Sequence, residues 1–271
     1  MFSRCCRYNA FAFSMQSINL FMLNLKMTHL NNYKLCRPLT LNFNTELVKS
    51  KTSSGSISSS VITKKDINIT DTDNKLPCYL EGVFTEIVAN SMVVYEDFLN
   101  EEEEKNIIDE IEPYMKKLRY EYDHWDDAIH GYRETEKLKW NQKNEVTLQR
   151  VKQMAFPTNE PLLKHVHVLD LAEDGYIKPH IDSIRFCGDT IAGLCLLSDA
   201  VMKLVEEDHI ENWVNVLLKR RSLYVMKNVA RYKYTHEVLR KKESVFKGKV
   251  IHRHRRISVI LRNEPSGEST T

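Results

Sequence analysis

Between Val166 and Arg262 the chain repeats one pattern, in which a short apolar or β-branched run gives way to turn residues and then to another run. The runs read VHVLDL, YIKPHID, TIAGLCLL, VMKLV, WVNVLL, SLYVM, ARYKYTHEVL and RISVILR. Segments of that length and composition predict strands. The gaps between them are too short for crossover helices, so neighbours have to pair antiparallel in a sandwich or barrel. Asp174-Gly175 is a strong turn dipeptide and predicts a hairpin between the first two runs.

Upstream the period changes. In NEEEEKNIIDEIEPYMKKL, Ile107, Ile111 and Met115 recur every four residues, Asn100 stands where an N-cap belongs, and acids open the segment while lysines close it. This is an amphipathic helix whose charges complement its dipole. Residues 120–140 mix aromatic and charged residues without a period and predict loops and short strands. A second helix is expected at PLLKHV or just before it. No internal repeat is visible. The predicted fold class is mostly β with flanking helices.

Composition changes the picture mainly at the ends. The formal charge is +2, but the first 45 residues hold five basic residues and no acidic one, which leaves 34 basic against 37 acidic residues beyond them. A body with that balance does not bind polyanions by bulk charge. The acid-free opening mixes arginines and serines with bulky apolar residues and predicts a mitochondrial transit peptide over 1–45, a disordered cytosolic tail being the competing reading. A secretory signal needs an unbroken apolar core, which Ser14, Gln16, Ser17 and Asn19 interrupt. No run reaches the ~18 apolar residues of a membrane span. Residues 46–77, rich in Ser, Thr, Lys and Asp, predict a linker; a folded domain follows over 78–264, with order starting near Tyr79, and 265–271 form a disordered tail. Cys36, Cys78, Cys187 and Cys195 lack any CxxC or zinc-finger spacing and read as free thiols, the last two in the core.

The chemistry concentrates in YIKPHIDSIRFCG. His180 and Asp182, two apart in a strand, project from one face and can reach one ion, and Pro179 beside them marks an edge or a bulge. A histidine from a distant strand would complete the two-His, one-carboxylate face that holds non-haem Fe(II), and His236 is the best candidate. Arg256 and Arg262, six apart, share a strand face and suit carboxylate recognition. His165 and His167 share a face too but have no ligand set at usable spacing, and read as strand residues. His252 and His254 fall in KGKVIHRHRR, which reads as a solvated basic loop. Trp125, Trp140 and Tyr120, Tyr122 and Tyr132 could stack bases, but residues 119–140 hold six acids against four basic residues, so packing is the better reading.

With these residues in view, the chain resembles the AlkB-type Fe(II) and 2-oxoglutarate-dependent dioxygenases. Their signature is HxD, a distant His and R-x5-R, here His180-Ile181-Asp182, His236 and Arg256-x5-Arg262. The phrases HVLDL, YIKPHIDSIRFCG, TIAGLCLLS, ARY and RRISVI carry the similarity over roughly residues 79–264, towards a mitochondrial branch of the family. The resemblance implies a double-stranded β-helix, or jelly roll, with His180, Asp182 and His236 around Fe(II) and O2 as co-reactant. It implies Tyr224, Arg256, Ser258 and Arg262 as the 2-oxoglutarate residues, Tyr224 and Arg256 at the distal end and Arg262 at the near end. Ser258 and Ile260 stand where many members carry Asn and Thr, and Arg220-Arg221 replaces a Pro-Gly-like turn, so that loop is expected to differ. The implied reaction hydroxylates a C–H bond, on a protein substrate or in a regulatory role linked to fatty-acid metabolism and programmed necrosis in the mitochondrial matrix. Demethylation of alkylated RNA or DNA is the alternative, and a non-catalytic metal-bound interaction module is the alternative of another class.

Overall fold

The computed structural model describes residues 77–122 and 128–265. The expectations for 1–45, 46–77 and 265–271 lie outside these residues, save for Pro77 and Pro265, and so does Trp125. In chain order the elements are β1 (Leu80–Val83), α1 (Glu86–Ser91), β2 (Met92–Tyr95), α2 (Glu101–Met115), β3 (Ile129–Lys137), α3 (Gln142–Ala155), β4 (Val166–His180), β5 (Thr190–Leu196), β6 (Ala200–Glu206), β7 (Trp213–Leu218), β8 (Leu223–Lys227), α4 (Asn228–Tyr232), β9 (Tyr234–Val238), β10 (Val245–Phe246), β11 (Lys249–Val250) and β12 (Arg256–Arg262).

The long strand β4 organises the sheet. Its first half, through Leu171, pairs with β12, and its last residues, Ile177 and His180, pair with β9. From there pairing runs outward in two directions, β12–β5–β8–β2 on one side and β9–β6–β7–β1 on the other, all antiparallel, with β3 laid along β4. One strand feeding two antiparallel layers is the jelly roll. Side chains of both layers meet in one core, where Met92, Ile191, Leu204, Val214, Val216 and Tyr234 are all buried.

The hairpin expected at Asp174-Gly175 is not formed. The chain runs straight on, because Gly175 serves a close approach rather than a reversal: a Cβ there would overlap the Gly131 carbonyl and lie 2.9 Å from the His130 oxygen of β3. The fully buried Arg253 donates to the carbonyls of Glu173 and Gly175 and fastens this crossing point. The supposed solvated loop KGKVIHRHRR is therefore only partly so. His252 and His254 are exposed while Arg253 between them is buried, and β11, inside the stretch, pairs with β10 just ahead of it.

The helix over Glu101–Met115 begins with a reciprocal capping box, in which Asn100 Oδ1 accepts from the Glu103 amide at 2.8 Å and Glu103 Oε2 accepts from the Asn100 amide at 2.9 Å. Its Ile107, Ile111 and Met115 are buried as the four-residue spacing requires. The second helix lies well before PLLKHV, at Gln142–Ala155, and is tied to the first by Arg150, which donates to both oxygens of Glu103 and to the Phe98 carbonyl. Residues 120–140 yield a nine-residue strand, β3, where loops and short strands were expected. Its charges mask the signal because several are structural: Arg133 donates to the fully buried Asp170, which also takes Arg255, itself paired with Glu112. Ahead of β8, Arg221 adopts the left-handed backbone region at φ 67°, and Arg220 binds the buried Glu104 from α2.

Candidate metal centre and cosubstrate pocket

Strand register brings the site together. His180 of β4 is the direct cross-strand partner of His236 of β9, and their rings lie 4.3 Å apart between centroids. The β4–β9 register shifts between Ile177 and His180, around Pro179. That bulge lets His180 turn to the same side as Ile177, although the two are three positions apart, and both line one cavity. The strand ends at His180, so Asp182 stands just beyond it rather than on it. Its Oδ1 faces both rings, 3.3 Å from His180 Nε2 and 4.0 Å from His236 Nε2. One ligand atom from each of the three lies within 4.8 Å of the others.

The protonation states suit a cation. Lys178 carbonyl oxygen lies 2.9 Å from His180 Nδ1, so that nitrogen carries the proton and Nε2 keeps its lone pair towards the site. Burial and the adjoining His180 lower His236 to about 3, which leaves the imidazole neutral at physiological pH. Burial pulls the Asp182 carboxyl upward, but its contacts with the two imidazoles and with the Arg262 guanidinium outweigh it and hold the group well below the usual carboxylate range. Two imidazoles and one carboxylate form a donor set that fits a divalent first-row metal and leaves part of its coordination sphere open.

The other wall of the same cavity comes from alternate residues of β12: Arg256, Ser258, Ile260 and Arg262. Arg256 is 1% exposed; it donates to Ser258 Oγ and contacts Cys195 Sγ at 3.5 Å, while its Nε has no partner. Among the described residues no carboxylate pairs with it. Tyr224 of β8 lies across Gly193 of β5, and a Cβ on Gly193 would fall within 2.6 Å of the Tyr224 hydroxyl, so the glycine makes room for the ring. Burial raises the Tyr224 phenol, which stays protonated and able to donate. Arg262, at the end of β12, places Nε 3.9 Å from Asp182 Oδ2. All seven residues singled out from the sequence thus line one cavity. Sequence reasoning missed Gly193 beneath Tyr224, and it missed His167, which lines the same cavity and accepts from Arg262 Nη2 at 3.2 Å. The parity of β4 was the available signal, since His167 and the cavity residue Leu169 are two apart.

No family model matches the chain. The mouse (Mus musculus) protein named alpha-ketoglutarate-dependent dioxygenase alkB homolog 7, mitochondrial, is 54% identical over 180 residues, covering 66% of this chain and 81% of the mouse protein. The chain belongs to the AlkB family of alpha-ketoglutarate-dependent dioxygenases. The Bos taurus protein of the same name is 51% identical with the same coverage. A solved Pseudomonas putida prolyl-4-hydroxylase shares 12% identity at a TM-score of 0.45, covering 65% of this chain and 94% of that one. As an AlkB-family dioxygenase the protein is an Fe(II)- and 2-oxoglutarate-dependent oxidoreductase that consumes O2. The cavity fits that chemistry on its own terms, through a facial donor set and, in the same space, a buried guanidinium that no carboxylate pairs with among the described residues.

Proposed function

We propose that His180, Asp182 and His236 hold Fe(II), that Tyr224, Arg256 and Ser258 take the distal carboxylate of 2-oxoglutarate, and that Arg262 serves its near end. The observation that carries this is Arg256. Burying a guanidinium without a counter-charge costs several kcal/mol, of order 3 to 5 when a partner is missing, and a dicarboxylate delivered to the cavity is the natural offset. When bound, iron and 2-oxoglutarate supply oxidative decarboxylation to succinate and carbon dioxide coupled to hydroxylation of a C–H bond. The chain's part is to hold and orient. His180 presents Nε2 because Lys178 holds Nδ1, Asp182 presents Oδ1, Ser258 steers the Arg256 fork, and the apolar walls Leu169, Ile177, Ile191 and Met226 limit water.

For the substrate we propose a protein, hydroxylated in the mitochondrial matrix or bound there in a regulatory role tied to fatty-acid metabolism and programmed necrosis. Support comes from the mitochondrial names of the two mammalian relatives and from charge. Arg133, Arg150, Arg220 and Arg255 are engaged by Asp170, Glu103, Glu104 and Glu112, which leaves few of these cations for a phosphate backbone. No helix among the described residues is long and apolar enough to cross a membrane.

The test is an anaerobic titration of 2-oxoglutarate into the Fe(II)-loaded chain, following the visible charge-transfer band of chelation. His180→Ala is expected to lose the band, and Arg256→Ala to need about a hundredfold more 2-oxoglutarate. A folded parent without a band would overturn the metal and cosubstrate assignment. Turnover in mitochondrial extract then separates substrates: one added oxygen on a protein supports the reading, whereas formaldehyde released only from methylated nucleic acid moves it to demethylation.

A further inference from the structure

Two side chains outside the family signature, Glu134 and His167, connect through Arg262 to the metal carboxylate from the edge of the sheet. Arg262 Nη2 donates to His167 Nδ1 at 3.2 Å, and His167 Nε2 lies 2.8 Å from Glu134 Oε2. A guanidinium carries only donors, so Nδ1 has to accept, the ring proton sits on Nε2, and it is given to Glu134. Glu134 reaches the ring diagonally across the β3–β4 pair, in which its own direct partner is Leu169 and that of His167 is Glu136. At the far end Arg262 Nε stands 3.9 Å from Asp182 Oδ2, while Asp182 Oδ1 is the oxygen turned to the two histidines. The two oxygens of Asp182 therefore have different neighbours, and Arg262 is the neighbour of the outer one. Arg262 itself is the last residue of β12, and its side chain is 24% exposed. A long side chain in that position keeps one geometry only if something holds its fork.

We propose that His167, oriented by Glu134, is a positioning residue: it holds the Arg262 guanidinium so that Asp182 Oδ2 stays turned outward, Oδ1 stays on the metal side, and the guanidinium remains aimed at the near end of 2-oxoglutarate. The inference rests on the site assignment above and extends it to a residue on the cavity wall and one on the outermost strand laid along β4.

The experiment measures the dissociation constant of 2-oxoglutarate for the full Fe(II)-loaded chain under anaerobic conditions, in His167→Leu, His167→Asn, Arg262→Ala and the His167→Leu/Arg262→Ala double variant, with Arg256→Ala as control. Losing a hydrogen bond to a charged group should weaken binding about tenfold in His167→Leu. His167→Asn places an amide oxygen near the Nδ1 position and is expected to recover most of that loss, which a role in packing alone would not allow. In the Arg262→Ala background, His167→Leu is expected to add nothing, because both changes remove the same interaction. Parent-like binding in His167→Leu, no recovery in His167→Asn, or additive losses in the double variant would each overturn the proposal. If the parent shows no 2-oxoglutarate-dependent band, the site assignment itself falls. If the band is present and Arg256→Ala weakens it while His167→Leu titrates like the parent, only the role of His167 falls.

Discussion

At the scale of single residues, His236 couples the site to stability. An unfolded histidine titrates near 6.5, whereas burial and the neighbouring His180 hold His236 down to about 3 in the fold. Between those values the unfolded chain binds a proton that the folded chain refuses, so stability falls as pH falls, by about 1.4 kcal/mol per pH unit from near 6.5 downwards. Asp182 adds to the loss further into acid, since its lowered carboxyl contributes stability above its ordinary value of 3.8 that disappears as pH drops through the folded one. Urea unfolding of metal-free protein between pH 7 and 5 is expected to show this slope in the parent and a flatter one in His236→Leu. Equal slopes would mean that His236 is not held neutral. Gly193 carries a second prediction. A methyl group there meets the Tyr224 ring and hydroxyl, so Gly193→Ala is expected to raise KM for 2-oxoglutarate about tenfold with little change in iron affinity, as read by the cosubstrate dependence of succinate formation. Much of this scale was legible in the sequence: HxD spacing puts two donors within reach of one ion, and R-x5-R puts two guanidinium groups on one strand face. The glycine under Tyr224 was not legible, because its role depends on which strand lies beside β5, and pairing between distant strands is not written in local periodicity.

At the scale of elements, β4 shows where a local rule gives way to tertiary context. Asp-Gly favours a tight turn in isolation, yet the strand continues because three partners, β3, β9 and β12, share its length and because Arg253 satisfies the carbonyls at the crossing. Conversely Pro179 carried its usual meaning, a break in the ladder, and the break is what turns His180 into the cavity. Helix α2 was readable down to its cap because its signals are local, whereas β3 was not, because its charged positions answer to Asp170 and Glu110 on other elements. The crossing makes its own prediction. Gly175→Ala forces a methyl group against the Gly131 and His130 carbonyls, and the β3–β4 pair has to separate to admit it. The cost should be about 2 kcal/mol or more, seen as a lowered urea midpoint at unchanged m-value. Because β4 carries His180, a fall in iron affinity is expected alongside.

At the scale of the whole molecule, the cavity is where the fold forgoes stability. A jelly roll with apolar walls would be more stable with methionine at position 256 than with a guanidinium that has Ser258 and Cys195 as neighbours and a free Nε. The cosubstrate reverses that balance, because a ligand at a hundred times its dissociation constant adds about 2.7 kcal/mol to the folded state, worth about 5 to 10 °C in Tm for a domain of this size. Arg256→Met is therefore expected to do two opposite things in one experiment. Without ligands its Tm should rise above that of the parent by a few degrees. With Fe(II) and saturating 2-oxoglutarate the parent should overtake it, since the variant can no longer draw on the carboxylate. Thermal melts of both proteins in the two conditions check the crossing of the order. A variant less stable than the parent in both conditions would show that the guanidinium is satisfied within the chain, and the case for Arg256 as the seat of the distal carboxylate would lose its physical ground.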